Sequence, residues 1–345
     1  MKINRIIFAA KERVEIETVE QEIKLAPNQV LIESVRSMVS PGTELAALRQ
    51  SHTRSNIANP PAWLCYPSVP GYLMVGTIVD KGAAVKAYNI GDRVVGEGGG
   101  CWNSHASHVV MTDDEKWLVK LPAGVSWDQG VTAKLGSITM YGLRVLHHEY
   151  GENVAVLGLG LIGQIAVRLC GLGGFGHVVG SDPLPQRRQV AKLAPQVTVT
   201  TPDEIGAAMQ TEPAGLKDGY DNVIEASGHP KAFIQATEIA RIRGRISVVS
   251  APHLPVELKL YDKVMNKSLQ IFGAHGSSMA VNLTARDRWN EMRQKQLFLQ
   301  LIAEKRLDVL PLLTHIVPYT EAPAMYRGLI EKPADHMGVV FQWKK

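Results

Sequence analysis

Cysteine is scarce in this chain of 345 residues: only Cys65, Cys101 and Cys170 occur, odd in number and far apart. Neither a disulfide framework nor a zinc lobe of four cysteines can be built from them, and a reduced, cytoplasmic setting is expected. Long apolar runs are missing as well. Nowhere do the roughly 18 uninterrupted apolar residues of a membrane-spanning helix occur, and MKINRIIFAAKERVEIE returns to charge too soon for an export signal. An excess of one charge is also lacking. The formal net charge is +4, with basic and acidic residues interleaved in DDEKW and ARDRWNEMRQK, so no electrostatic footprint for nucleic acid or an anionic membrane is present. No internal repeat or low-complexity tract is visible. What is there, 45% hydrophobic and 20% charged residues, suits an ordinary globular chain long enough for two domains, each with its own core.

The rhythm of the chain changes once. Up to about residue 125 it runs in short apolar or alternating segments cut by turn formers, among them RIIFA, VEIETVE, QVLIESVRSMV, VGTIVDKG, DRVVGE and SHVVMT, which predicts a β-rich, barrel-like domain. Gly91-Asp92 and Gly124 mark two of its turns. Beyond about residue 130, apolar strands (VAVLGL, HVVGSD, NVIEAS, RISVVS, LQIFGA) alternate with helical patterns, which predicts a parallel, doubly wound α/β sheet. In the first of these helices Ile162, Ile165, Ala166, Leu169 and Cys170 form one apolar stripe, with polar Gln164 and Arg168 off it. The segment TARDRWNEMRQKQLFLQLIAEKRL reads as a long charged helix, and LLTHIVPYT and HMGVVFQW read as strands that return to the first domain.

The most specific local motif is NVAVLGLGLIGQIAVRL. Gly158, Gly160 and Gly163 give G-x-G-x-x-G between an expected strand and an expected helix, the context in which this spacing binds a dinucleotide. The first glycine permits the tight turn, the second lets the pyrophosphate approach the backbone, and the third allows close helix–strand packing. The helix N-terminus offers unpaired N–H groups and a positive dipole end. Asp182 ends the next strand, about where an acidic residue meets the adenosine ribose. That favours NAD over NADP, although Arg187 and Arg188 follow within a turn and an arginine there can accommodate a 2′-phosphate. The lesser alternative for Asp182 is a simple helix N-cap before Pro183.

Taken in order, PSVPGYLMVGTIVDKGAAVKAYNIGDRVVG, LGSITMYGL, GLGLIG, DNVIEASGHPKAF and LLTHIVPYTEAPAMYRGL resemble the medium-chain dehydrogenase/reductase superfamily, the zinc-type alcohol dehydrogenase-like proteins, over essentially the whole chain. The resemblance implies a GroES-like β-barrel catalytic domain, residues 1–133 and 285–345, and a Rossmann domain, residues 134–284, with active-site residues in the cleft between them. The SPGTE form of the first ligand motif looks like the branch with bacteriochlorophyllide-type dehydrogenases and related sugar or secondary-metabolite dehydrogenases. Where zinc-dependent members carry their metal ligands, this chain has Pro41, Tyr72 with Leu73, and Leu135, and the structural cysteine lobe is reduced to GEGGGCWNSHASH. The expected metal set is therefore none: no catalytic and no structural zinc.

By family position Thr43 is the hydroxyl that relays the proton, and Tyr72 puts a phenol where a ligand was. Such a phenol could donate to a carbonyl oxygen, accept from an alcohol if its pKa were lowered, or merely fill the vacated space. Glu44 and Lys134 adjoin the emptied positions and could tune charge there or be ordinary solvated groups. Thr139 is implied to pack against the nicotinamide, or else to bond its own helix. The resemblance further places Leu161, Ile162, Ala226, Ser250, Ala251, Ala274 and His275 along the cofactor, and Trp63, Trp102, Asn103 and His105 on loops around a small-molecule substrate. The leading expectation is a zinc-independent, NAD-linked oxidoreductase that interconverts an alcohol and a carbonyl. An enoyl or quinone reductase and a catalytically silent nucleotide-binding protein are the rivals. The apolar strand LQIFGA at the sheet edge predicts pairing with a second copy, in a homodimer or a dimer of dimers.

Overall fold

The computed structural model describes residues 1–97, 103–113, 118–208, 218–280, 282–284 and 287–344. The chain divides into two compact units, Met1–Lys134 with Val281–Lys345, and Leu135–Ala280. In chain order the first unit begins with β1 (Lys2–Ala10), β2 (Arg13–Glu20) and β3 (Gln29–Met38), then helix α1 (Pro41–Leu48), β4 (Met74–Lys81), β5 (Arg93–Gly96), β6 (His108–Thr112), β7 (Leu118–Lys120) and the short α2 (Trp127–Gly130). Helix α3 (Ala133–Arg144) leads to β8 (Asn153–Leu157), α4 (Leu161–Leu172), β9 (His177–Ser181), α5 (Pro185–Ala191), β10 (Val197–Thr200), α6 (Ile205–Ala208), β11 (Tyr220–Glu225), α7 (Pro230–Ile239), β12 (Ala240–Val248) and β13 (Gln270–Gly273). The chain ends in α8 (Glu291–Ala303), β14 (His315–Pro318), α9 (Ala322–Glu331) and β15 (Val339–Gln342).

In the first unit β1 and β2 form a hairpin, and the main sheet runs β14-β15-β3-β4-β5-β7 with β6 on the other side of β3. The return of the tail is explicit: β15 pairs antiparallel with β3, Val340 opposite Met38. Two apolar clusters stand out among the described residues of this unit. Ile32, Met74, Ile78, Val94 and Met111 pack in one, and Ile6, Phe8, Leu48, Leu64, Tyr326 and Phe341 in the other. In the second core Phe8 meets Tyr326 edge to face, with centroids 5.2 Å apart.

The second unit is a six-stranded, all-parallel sheet in the order β10-β9-β8-β11-β12-β13. The strand order reverses between β8 and β11, and a doubly wound sheet opens its ligand crevice at the carboxyl ends of the strands flanking such a reversal. The apolar residues of β8, β9, β11 and β12 form its core, with Ala155, Val179, Val223 and Ile246 wholly buried.

Two expectations change on packing. Gln164 and Arg168, placed off the apolar stripe of α4, are buried. Their side of the helix meets α5 and the turn before it: Gln164 Nε2 donates to the carbonyls of Leu159 and Arg187, and Arg168 donates to Gln164 and to the carbonyl of Val190. These long polar side chains satisfy backbone acceptors that water cannot reach. The charged helix expected from residue 284 starts only at Glu291, capped by Asn290, whose Oδ1 accepts from the Arg293 N–H at 3.0 Å. Its charged residues Glu291 and Lys295 face inward. Among the described residues no helix is long and apolar enough to cross a membrane.

Candidate active site

The glycine-rich turn is built by close approach. Gly158 has φ of 90°, and a Cβ there would lie 2.7 Å from Ser227; a Cβ on Gly163 would lie 1.8 Å from the carbonyl oxygen of Gly158. Gly160 differs: a Cβ there would meet nothing closer than Arg187 Nη1, at 3.9 Å. Gly160 is also the N-cap of α4, and no side chain caps that helix. A turn welded at its first and third glycines, open at the second and backed by an uncapped helix start, fits a pyrophosphate. Leu161 is buried and Ile162 half-buried in the first turn of that helix.

Asp182 is 2% exposed. Its Oδ2 accepts from the N–H of Leu159 and its Oδ1 from that of Leu184, each at 2.8 Å, and Arg187 Nη1 lies 3.5 Å from Oδ2. The carboxylate thus ties the glycine turn to the loop before α5, whose N-cap is Leu184 without a side-chain cap, so the helix-cap reading does not hold. Arg188 is committed to the carbonyls of Asp182 and Pro183 at 2.6 and 2.9 Å, which leaves Arg187 as the arginine beside Gly160. Glu225, unremarked in the sequence, ties the crevice loops together. Its carboxylate accepts from Ser227, from the Gly228 N–H and from the Ser250 hydroxyl. Ala226 and Ser250 are half-buried, Ala251 is exposed, and Ala274 is wholly buried. His275 is exposed and its Nδ1 accepts from the Ser277 N–H. Thr139, expected against the nicotinamide, is fully buried, and its hydroxyl donates to the Leu135 carbonyl at 2.8 Å. In this conformation its side chain offers a ligand no surface, the usual outcome for a helix-interior threonine bonded to the preceding turn.

In the first unit the SPGTE segment opens α1, with Ser40 as N-cap and Pro41 in the first turn. Thr43 and Tyr72 are half-buried and share hydrogen bonds: the Tyr72 hydroxyl lies 2.6 Å from Ser40 Oγ and also bonds Thr43. Burial pushes the Tyr72 phenol above its ordinary pKa of 10, against the hydrogen bonds from Ser40 and Thr43 that pull it down. Of the two acid–base roles open in the sequence, accepting from an alcohol through a lowered pKa is therefore disfavoured, and donation remains. Ser40 escaped the sequence reading because its position carries no motif role.

Glu44 and Lys134, expected as catalytic groups, are buried and paired within the protein. Glu44 is wholly buried; Oε1 accepts from the Ser40 N–H at 2.8 Å, and Oε2 from His105 Nε2 at 3.1 Å and from the Tyr326 hydroxyl. Lys134 is ion-paired with Glu97 at 3.0 Å and with Glu291. Burial alone would lower its pKa, but the two carboxylates raise it to about 12, so it holds its proton. His105 is corrected too: expected on a substrate loop, it is wholly buried, with Nδ1 2.7 Å from Ser37 Oγ. A carboxylate oxygen only accepts, so the hydrogen on His105 Nε2 faces Glu44, while Ser37 Oγ, which accepts from the Trp343 indole at 2.8 Å, lies on the Nδ1 side of the ring. Trp63 packs against the Leu48–Leu64–Tyr326 core and sets its ring edge-on to His52 at 5.1 Å, so most of it serves packing rather than a cleft wall. Asn103 is exposed, with φ of 87°, and Trp102 and Cys101 lie outside the described residues.

Pro41 and Leu135 have no donor atom for a metal, and the Tyr72 hydroxyl is engaged by two neighbouring hydroxyls. The residues at these positions do not fit zinc.

Family models and relatives agree on the class. The alcohol dehydrogenase GroES-like domain matches residues 26–141, and the zinc-binding dehydrogenase domain matches residues 162–295. The second match starts beyond positions 41, 72 and 135, so its name does not bear on them. D-Guloside 3-dehydrogenase of Escherichia coli K12 is 26% identical over 276 residues, covering 79% of this chain and 77% of the relative. L-Threonine 3-dehydrogenase of Shewanella oneidensis is 28% identical over 274 residues, covering 72% and 75%. In fold, galactitol-1-phosphate dehydrogenase from Escherichia coli superposes with a TM-score of 0.82 at 18% identity, over 98% of this chain and 99% of the other.

Proposed function

This chain belongs to the medium-chain dehydrogenase/reductase superfamily as an oxidoreductase of an NAD(P)-binding class, and from that premise we propose that it interconverts an alcohol and a carbonyl of a small molecule without zinc. The observation that carries this reading is the hydroxyl cluster of Tyr72, Ser40 and Thr43, at the place where relatives hold the metal and beside a proline that cannot ligate. When bound, the nicotinamide supplies or accepts the hydride. The chain must then polarise the substrate oxygen and move one proton. Tyr72, kept neutral by burial, donates its O–H to the oxygen as negative charge develops there; Ser40 and Thr43 hold the phenol in place and relay to it a replacement proton drawn from solvent water. In the oxidising direction the relay runs backwards, the phenol taking the alcohol's proton as it passes its own through Ser40 and Thr43 to water, so it stays neutral. Glu44 acts through Ser40, whose N–H it fixes.

Donors aimed at developing oxygen charge contribute about 2.7–4 kcal/mol each. Tyr72→Phe is therefore expected to lower kcat by at least about tenfold on any alcohol or ketone the enzyme turns over, with NADH affinity and melting temperature unmoved. Unchanged turnover would make Tyr72 a space-filler and favour the enoyl or quinone reductase reading, which asks less of an oxygen-polarising group. Elemental analysis is expected to find no stoichiometric zinc. A chelation-resistant zinc needed for activity would overturn the metal-free reading.

Two finer properties belong to the same proposal. NAD is favoured over NADP because the Asp182 carboxylate stands at the end of β9 and would face a 2′-phosphate; its pairing with Arg187 moderates the repulsion. Fluorescence titration is expected to show NADH binding more tightly than NADPH, and the opposite order would make Arg187 the determinant. The chain is also proposed to dimerise through the β13 edge of its parallel sheet, around which Ile242, Leu260, Tyr261, Met265 and Ile271 are exposed. Light scattering that reports a monomer at working concentration would refute this.

A further inference from the structure

The buried ionisable side chains of the first unit fall, among the described residues, into two clusters. In one, Glu97 and Glu291 alternate with Lys134 and Lys295, so that each ion is met by opposite charge. The other is Glu44 with His105, and it reaches the hydroxyl cluster of the proposed mechanism from two sides. On one side Glu44 Oε1 fixes the Ser40 N–H at 2.8 Å, and Ser40 Oγ lies 2.6 Å from the Tyr72 hydroxyl. On the other, Glu44 Oε2 holds His105 Nε2 at 3.1 Å, and the His105 ring lies against Gly71, the residue before Tyr72. A Cβ on Gly71 would stand 2.7 Å from Cγ and Cδ2 of that ring. Gly71 has φ of 91°, so the chain enters Tyr72 through a left-handed residue that a side chain would both strain and wedge off the ring. Its carbonyl accepts from the Ser104 N–H at 3.0 Å, and the Pro70 carbonyl from the His105 N–H at 3.1 Å, which ties the two segments along their backbones.

The ring has little freedom of its own. Ser37 Oγ, 2.7 Å from Nδ1, and Glu44 stand at its two nitrogens, and Phe341 meets it edge-on with centroids 5.3 Å apart. The contacts close a circuit: Glu44 to Ser40, Ser40 to Tyr72, Tyr72 along the chain to Gly71, Gly71 to His105, and His105 back to Glu44. Packing alone would need no histidine there, since an apolar ring fills space without two polar nitrogens to satisfy.

We propose that His105 is a positioning residue for Tyr72: locked by Glu44 and Ser37, its ring sets the Gly71 backbone and so the place of the phenol opposite Ser40. The role rests on the reading of Tyr72 as the donor to the substrate oxygen. One carboxylate then fixes both partners of the Ser40–Tyr72 hydrogen bond, Ser40 directly and Tyr72 through His105. Such registration matters to the reaction, because about 1 Å of misplacement can cost on the order of 100-fold in rate.

The test uses the full chain carrying tyrosine labelled with carbon-13 at the ζ carbon, whose resonance reports the hydrogen bonding of the phenol; Tyr72 is identified by its loss in Tyr72→Phe. Ser40→Ala marks where the resonance falls when the bond to Ser40 is gone. His105→Gln keeps an N–H donor for Glu44 but takes the ring off Gly71, and it is expected to move the resonance at least half of the way to that mark. Ser37→Ala leaves the ring and frees its Nδ1 side, and is expected to move the resonance in the same direction by less. Leu64→Val, an equally buried change in the core of the same unit, controls for general loosening and is expected to leave the resonance in place. On a ketone that the enzyme turns over, kcat of His105→Gln is expected to fall at least about threefold while NADH affinity holds, and to fall no further where Tyr72→Phe is already present. A resonance unmoved by His105→Gln or, if that variant does not fold, by Ser37→Ala overturns the role of His105, as does an equal movement in Leu64→Val. Failure of the parent reading shows elsewhere: turnover of Tyr72→Phe on alcohols and ketones would then be unchanged, whatever the resonances report.

Discussion

Glu44 and Glu97 are both buried carboxylates of the first unit, and they are satisfied in opposite ways. Glu44 collects neutral donors: a backbone N–H, a histidine ring N–H and a tyrosine hydroxyl. Glu97 sits between two ammonium groups. A carboxylate held by neutral donors can lose one of them and keep the rest; a ring of alternating ions is balanced only while all its members are present. The first arrangement therefore fixes geometry, here the start of α1 that carries Ser40 and Thr43, while the second fixes charge.

The largest expected effect separates the two. Lys295→Met leaves Glu97 and Glu291 sharing one cation, and breaking a buried pair on one side costs about 3–5 kcal/mol. A large drop in the thermal midpoint of the first unit is the expected result. Glu44→Gln should cost less, about 1–3 kcal/mol, because one acceptor oxygen survives and a single donor is left unpaired. In that variant kcat should fall while NADH affinity holds, since Ser40 and Thr43 lose their brace. Equal losses from the two changes would erase the distinction.

Acidity sharpens the contrast further. Burial raises the Glu97 carboxyl from its ordinary 4.5 to about 7, against the pull of Lys295 and Lys134. A carboxyl whose folded pKa is raised binds more protons folded than unfolded, so its contribution to stability grows as pH falls through about 7 toward 4.5. Glu291 runs the other way: burial opposes ionisation, but Lys295, Glu97 and Lys134 together lower it to about 2, so its contribution is present above 4.5 and fades as pH falls toward 2. The thermal midpoint of the wild type is expected to rise modestly between about pH 8 and pH 6, and Glu97→Gln to flatten that rise. A slope unchanged by Glu97→Gln would show that other groups govern it. The smallest effect is the control. Lys344 and Glu33 pair at 2.8 Å on the exposed surface, and Lys344→Ala should change stability by less than about 1 kcal/mol.

The dinucleotide turn was legible in the sequence because everything that makes it lies within a few residues: Gly158, Gly160 and Gly163 are defined by what their missing Cβ atoms would strike, and the flanking periodicities give strand and helix. The strands and helices of the parallel sheet could be read for the same reason, whereas the return of the tail, a pairing of positions 340 and 38, was implied by the family resemblance. The interior of the first unit could not. Glu44 meets Tyr326 across 282 positions and Lys134 meets Glu291 across 157, and no local pattern encodes such pairings. A charged helix reads as solvated until its neighbours are known, which hid Glu291 and Lys295. His105 on an irregular segment reads as a cleft residue until its ring is found between Ser37 and Glu44.

One feature of the fold bears on how the molecule is made. Trp343 donates to Ser37 across 306 positions, on a strand, β15, that pairs with β3. A ribosome emits β3 long before β15, its partner. During the interval the parallel sheet of Leu135–Ala280, all of whose strands come from one continuous stretch, can already assemble, while the edge of β3 waits without β15 and the Glu44 network without Tyr326. The second unit can thus be complete before the first one is, and a product stalled in between would carry a finished parallel sheet with an unfinished first unit, its bare strand edge open to misassociation.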